Sequence, residues 1–144
     1  MFDYRDKKLS LSRIDRRGGK QMAVKESTES SENYLKTILI LSKRLPVVRG
    51  VDIANEMGFK KSSVSIGMKN LREKGQITVT DAGYIYLTDS GKRIAEAIYE
   101  RNRFMIEMLM SWGISKEIAE RDACRIEHVI SPETFEAFKK HYHS

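Results

Sequence analysis

Residues 77–87 break the rhythm of the chain. Ile77-Thr-Val-Thr80 and Tyr84-Ile-Tyr-Leu87 alternate apolar and polar side chains on either side of Asp81-Ala-Gly83, which predicts a β-hairpin. From about residue 30 onward, the chain on either side of this ribbon repeats at helical spacing instead. Upstream, Ser30-Ser31-Glu32 opens an amphipathic helix with the stripe Tyr34, Leu35, Ile38 and Leu41, which Pro46 closes. A short helix follows over Gly50–Met57, with Val51, Ile53, Ala54 and Met57 inward and Gly58 as its stop. A third starts at Ser62-Ser63, carries Val64, Met68 and Leu71 on one face, and ends at Lys74-Gly75. Downstream, Thr88-Asp-Ser-Gly91 caps a long helix to about Trp112, and two more helices span roughly Ser115–Val129 and Pro132–Tyr142.

Three short helices, a two-stranded ribbon and further helices make a mainly α fold. Its layout is a winged helix-turn-helix DNA-binding domain followed by an α-helical dimerisation domain. The turn after the second helix needs a residue tolerant of positive φ, which Gly58 supplies. The third helix opens with Ser62, Ser63 and Ser65, small polar side chains that fit a DNA groove and present donors to phosphate. The competing reading is an exposed lysine-rich helix in another small α+β fold. The expected division is a disordered basic extension over 1–25, a DNA-binding domain over 26–91, and a dimerisation and metal-sensing domain over 92–144.

Charge supports the DNA reading once it is divided along the chain. The formal net charge is +6, but residues 1–25 alone carry +5 and residues 26–144 only +1. Within the body, Lys60, Lys61, Lys69, Arg72 and Lys74 oppose only Glu73, a compact local excess of +4. No apolar run approaches the ~20 residues that cross a bilayer. The start MFDYRDKKLS is not an apolar signal, and the single cysteine, Cys124, fits a reducing compartment, so a cytoplasmic protein without membrane partners is expected.

Glu32-Asn-Tyr-Leu-Lys-Thr-Ile, Asp52-Ile-Ala-Asn, Ser63-Val-Ser, Leu71-Arg-Glu-Lys-Gly, Leu87-Thr-Asp-Ser-Gly-Lys and Ala123-Cys-Arg-Ile-Glu-His-Val-Ile-Ser131 occur in order. Together they resemble the diphtheria-toxin-repressor and manganese-transport-regulator family of metal-dependent transcriptional regulators, in its two-domain form. The resemblance covers about residues 26–142. It implies a homodimeric repressor that binds a palindromic double-stranded DNA operator, with divalent iron or manganese as co-regulator, and no enzymatic activity.

Carried over by position, the resemblance places base-reading residues at Lys60, Ser62 and Ile66, and phosphate contacts at Arg49, Ser63 and Ser65. Charge adds Lys61 and Lys69. Ile66 can offer a base edge only an apolar contact, such as to a thymine methyl. Tyr84, at the ribbon tip, either touches the DNA backbone or packs against the ribbon.

Cys124, Glu127 and His128 stand at i, i+3 and i+4, which puts thiolate, carboxylate and imidazole on one helical face. That mixed set suits Fe(II), Mn(II), Co(II) or Zn(II). The resemblance adds Asn33 as a fourth ligand, where relatives carry methionine or aspartate. It places a second site at Asn102, Ile106 and Glu120, whose residue types no longer suit a metal, so that site is expected to be lost and a single Fe(II) or Mn(II) retained. Lys36 stands where manganese-specific members have a glutamate ligand, and its charge opposes a dinuclear cluster. Under the contrary reading Glu127 and His128 are satisfied by local hydrogen bonds, Cys124 is a small buried residue, and the protein is a metal-independent regulator of the same fold. Catalysis by Cys124 and His128 lacks an orienting third residue, and a redox sensor on Cys124 lacks a resolving cysteine. Ile106, Leu109, Met110 and Trp112 make the end of the long helix more apolar than one stripe requires, and form the expected dimer interface.

Overall fold

The computed structural model describes residues 19–142, with side chains from Glu29 onward. Residues 1–18, most of the basic extension read over 1–25, lie outside the described residues. Among the described residues the elements run α1 (Gly19–Arg44), α2 (Gly50–Met57), α3 (Lys61–Glu73), β1 (Ile77–Val79), β2 (Ile85–Leu87), α4 (Asp89–Ser111), α5 (Lys116–Ile126) and α6 (Pro132–Tyr142).

The first helix begins at Gly19, well before the serine-rich start expected near Ser30. Lys, Gln, Met, Ala and Glu, all good helix formers, dominate the segment between Gly19 and Glu26, and no proline interrupts it. The helix ends where expected, since Pro46 cannot continue it. Gly58 ends α2 in the left-handed region at φ 68°, and the Phe59 N–H reaches back to the Ala54 carbonyl at 3.0 Å. On α2, Ile53 and Ala54 are buried but Val51, expected inward, is exposed; the helix is too short for a four-residue apolar face to turn wholly toward one neighbour. Thr88 caps α4 by accepting the Gly91 N–H at 3.2 Å.

The strands pair antiparallel with Ile77 opposite Leu87, Thr78 opposite Tyr86 and Val79 opposite Ile85. The Ile85 N–H also bonds the Val48 carbonyl at 2.8 Å, so the segment before α2 adds a single bridge to the ribbon. Ile77 and Ile85 face inward, tying the wing to the helices. One cluster packs Tyr34, Leu35, Ile38, Leu39 and Leu41 of α1 on Ile53, Val64, Met68 and Leu71, and reaches Ala95 of α4. Each of the fully buried Leu and Ile side chains contributes about 1.5–3 kcal/mol. A second cluster gathers Phe104, Met105 and Met108 of α4 with Ala123 and Phe135. Phe104 meets Phe135 edge to face at 5.5 Å. The expected boundary at residue 91 thus falls at the start of α4, a helix that contributes to both cores. Among the described residues no helix is long and apolar enough to cross a membrane.

Candidate metal centre and nucleic-acid interface

The trio at the end of α5 is not entirely helical. The helix closes at Ile126, Glu127 caps it in the αR region, and His128 lies one residue beyond in the turn. The turn keeps helical curvature because the Glu127 N–H bonds Ala123 at 3.0 Å and the Val129 N–H bonds Ile126 at 3.0 Å. Cys124, Glu127 and His128 therefore still converge, with one donor atom from each within 4.8 Å of the others. Arg101 of α4 secures the turn by donating to the carbonyls of Glu127 and Ile130 at 3.3 and 3.4 Å.

The facing wall is α1. Asn33 Oδ1 lies 2.9 Å from His128 Nε2 and 3.8 Å from Cys124 Sγ. Glu32 Oε2 accepts from His128 Nδ1 at 2.6 Å. Lys36 Nζ donates to Glu127 Oε1 at 2.6 Å and stands 3.8 Å from Cys124 Sγ. The pair is deeply placed: the Lys36 side chain is 10% exposed and that of Glu127 0%. Sequence reasoning put Asn33 beside the trio, but it missed Glu32 as a partner of His128 and the Lys36–Glu127 ion pair. The available signal was spacing: Glu32, Asn33 and Lys36 fall at i, i+1 and i+4 on one helix, polar residues interleaved with the apolar stripe.

Electrostatics in this cluster are strongly coupled. Burial works against the His128 imidazolium, but hydrogen bonds with Cys124, Glu127 and Glu32 outweigh it and push its pKa up to about 11. At neutral pH both ring N–H groups therefore donate, Nδ1–H to Glu32 and Nε2–H to Asn33 Oδ1, with Glu127 Oε1 also within reach at 3.1 Å. The Cys124 thiol is held below its ordinary value, first by its hydrogen bond with His128, against the opposing effect of burial and with help from the nearby Lys36 charge. Glu127 Oε2 is buried without a hydrogen-bond partner in the protein. An orphaned carboxylate oxygen beside a thiol, an imidazole and an amide oxygen is a donor set that fits a divalent cation.

The positions of the expected second site present a different picture. Asn102 is half-buried, Ile106 packs against the second core, and Glu120 is exposed with Lys116 3.9 Å away. Among the described residues the converging His, Cys, Asp and Glu groups form the single cluster at Cys124, Glu127 and His128.

Lys60 precedes α3 in an extended conformation, and Lys61, Ser62, Ser63, Ser65, Ile66 and Lys69 are all exposed along the helix. Ile66 is 63% exposed, a large apolar side chain with no intramolecular reason to face water. Arg49 caps α2 rather than lying within it; its backbone N–H bonds Asp52 Oδ2 at 2.9 Å. Its guanidinium sits 4.9 Å from the centre of the Tyr84 ring and donates to the Tyr84 hydroxyl at 3.2 Å. Tyr84 thus packs on Arg49 and holds it beside the wing. At the far end of α4, Ile106 and Leu109 are half-buried, whereas Met110 and Trp112 are exposed, Trp112 by 67%.

Comparison with known proteins covers both parts of the chain. Residues 26–83 match the N-terminal DNA-binding domain of the iron-dependent repressors, and residues 88–143 match their metal-binding and dimerisation domain. The transcriptional regulator MntR of Escherichia coli O6:H1 is 31% identical over 122 residues, covering 85% of this chain and 79% of that protein. The manganese regulator SloR superposes with a TM-score of 0.72 at 25% identity, over 78% of this chain and 53% of that one. A manganese-dependent transcriptional repressor in complex with manganese superposes at 0.70 and 26% identity, over 76% of this chain and 51% of that one. The chain therefore spans about half the length of these two regulators of known structure. From these matches, and from a winged helix-turn-helix joined to a helical domain, it follows that the chain belongs to the iron-dependent repressor family of metal-responsive transcriptional regulators, whose members are not enzymes.

Proposed function

We propose that this protein is a cytoplasmic repressor that binds a palindromic operator as a homodimer, with one divalent metal, Fe(II) or Mn(II), as co-regulator. The observation that carries the metal part is the convergence of Cys124, Glu127 and His128 with Asn33 across the α1–α5 contact, together with the unpartnered Glu127 oxygen. A bound divalent ion would supply a cross-link between α1 and the end of α5, which otherwise meet here through the Lys36–Glu127 ion pair and the His128 hydrogen bonds. The chain's own residues do the rest. Asn33 contributes from the same helix whose stripe supports α3, so a change at the centre is felt through Leu35 and Ile38 by the reading head. Lys60, Ser62 and Ile66 face the bases, while Arg49, Lys61, Ser63, Ser65 and Lys69 hold the phosphates. Met110 and Trp112 supply the apolar contact with a second copy, which sets two reading heads about one turn of DNA apart or a multiple of it.

Anisotropy of a labelled duplex from the protein's own upstream region tests this, with chelator or with Fe(II), Mn(II), Co(II) or Zn(II) under anaerobic conditions at fixed salt. The expected result is a gain of about ten-fold or more in affinity with one metal, about 1.4 kcal/mol of coupling, which Cys124→Ala and His128→Ala abolish. Specific binding that persists unchanged in chelator would favour a metal-independent regulator. That reading draws on one observation, the Lys36 charge already seated against Glu127.

A further inference from the structure

We propose that Lys36 is the resident counter-cation of this centre and sets the threshold at which a metal enters it. The inference rests on the metal reading above and adds an internal competitor to it.

Its basis is position. Lys36 Nζ lies against the two groups of the trio that can carry negative charge, 2.6 Å from Glu127 Oε1 and 3.8 Å from Cys124 Sγ, and shares Oε1 with His128 Nε2 at 3.1 Å. A cation bound by both of these groups would lie in the volume that the ammonium fills. Lys36 comes from α1, one helical turn beyond Glu32 and three residues after Asn33, so it enters from the wall that also supplies the amide oxygen. The pair is nearly sealed from solvent, and an uncompensated carboxylate there is costly. A stored cation relieves that cost before any metal arrives.

The compensation is incomplete. Lys36 engages Oε1 and leaves Oε2 without a partner. A single ammonium delivers one charge and point-like hydrogen bonds, whereas a divalent ion delivers two charges and can accept several donors at once. Metal therefore has something to gain in this site, but only after expelling Lys36. The stem of four methylenes is long enough to swing the ammonium toward solvent. Metal affinity is then a difference between two occupants of one site. A chain without the lysine charge would load at lower metal concentration than this one.

Co(II) binding by the full chain tests the inference, read from the thiolate-to-cobalt charge-transfer band in the near ultraviolet and, independently, from the thermal midpoint with and without metal. Wild type, Lys36→Gln and Lys36→Arg are compared, with Cys124→Ala establishing that the band reports this centre. Lys36→Gln is expected to bind Co(II) about 10–100-fold more tightly than wild type. Its thermal midpoint should be lower than that of wild type in chelator and at least equal to it at saturating Co(II). Lys36→Arg retains the charge and is expected to bind no more tightly than wild type. A Lys36→Gln chain that is unfolded in chelator but folds on adding Co(II) also supports the proposal, since it shows that the site demands a cation. Equal Co(II) affinity in wild type and Lys36→Gln overturns the role of Lys36 and leaves the metal centre standing. Absence of the band in both, with both folded, overturns the metal centre and the competition together.

Discussion

Gly91, in the first turn of α4, lies so close to the backbone of Gln76 that a β-carbon on it would overlap the Gln76 carbonyl oxygen. The same carbonyl accepts the Thr88 N–H at 3.1 Å, so the end of the recognition unit is locked to the start of the long helix. Gly67 has a comparable but softer restriction: its β-carbon would sit 2.5 Å from the Tyr34 ring. Gly91→Ala is expected to destabilise by about 3 kcal/mol or more, because backbone must move. Gly67→Ala pushes only a side chain, and alanine returns up to about 1 kcal/mol of helix propensity, so its loss should stay near 1–2 kcal/mol. Urea midpoints decide the order; a milder Gly91→Ala would contradict the close approach.

The Lys36–Glu127 pair should show coupling. In chelator, Lys36→Met leaves the buried Glu127 carboxylate with His128 Nε2, 3.1 Å from Oε1, as its remaining charged neighbour, and is expected to cost about 3 kcal/mol. Lys36→Met with Glu127→Met removes that carboxylate and should be more stable than Lys36→Met alone. A double variant less stable than the single would mean that Glu127 finds its support elsewhere.

Acidity at His128 sets opposite pH trends for stability and metal binding. Its folded pKa of about 11 lies above the ordinary 6.5, so its stabilising bonds are fully present below pH 6.5 and fade as the pH climbs through 11. Metal-free wild type should therefore lose stability between about pH 7 and pH 10 more steeply than His128→Gln. Ligation requires the ring to release a proton, so Co(II) affinity should rise with pH over the neutral range. Parallel denaturant and Co(II) titrations would expose a wrong assignment as two flat profiles.

On DNA, the exposed lysines and the exposed isoleucine should behave differently. Lys69→Ala is expected to weaken binding to all duplexes alike and to lower the salt-dependence slope by about 1. Ile66→Ala should instead act at particular base pairs, with a loss of about 1–3 kcal/mol confined to operators that offer a thymine methyl. Competition anisotropy across single-base variants distinguishes a uniform loss from a local one.

Trp112 gives a test of self-association that leaves the fold intact. Being 67% exposed, its replacement by alanine should change the stability of a single chain by no more than about 0.5 kcal/mol. Sedimentation at micromolar concentration is expected to show wild type as a dimer and Trp112→Ala, with Met110→Ala, shifted toward monomer. A monomeric wild type would remove the interface altogether.

The order of elements was legible from local chemistry. Alternation at residues 77–80 and 84–87, the helix-stopping Gly58 and Pro46, and the Thr88 cap each act within a few residues, so each is visible in the string itself. What escaped was set by more than local pattern. The early start of α1 follows from propensity alone and was masked by the conspicuous serines at 30 and 31. The outward turn of Val51 depends on which neighbours a two-turn helix meets.

The same division holds at the centre. Spacing alone grouped Cys124, Glu127 and His128, because residues three and four apart share a helical face even where the helix ends in a turn. Spacing could not say that Glu32 and Lys36, some ninety residues away, complete the group. Lys36 was legible only as a charge unfavourable to a metal cluster. Packing α1 against the end of α5 placed that charge beside a buried carboxylate, where burial makes an ion pair far stronger than it would be in water. The sequence by itself determined which elements form and which donors lie together on one turn. The tertiary contact between two distant helices decided what faces those donors, because electrostatic partners are selected by proximity in space.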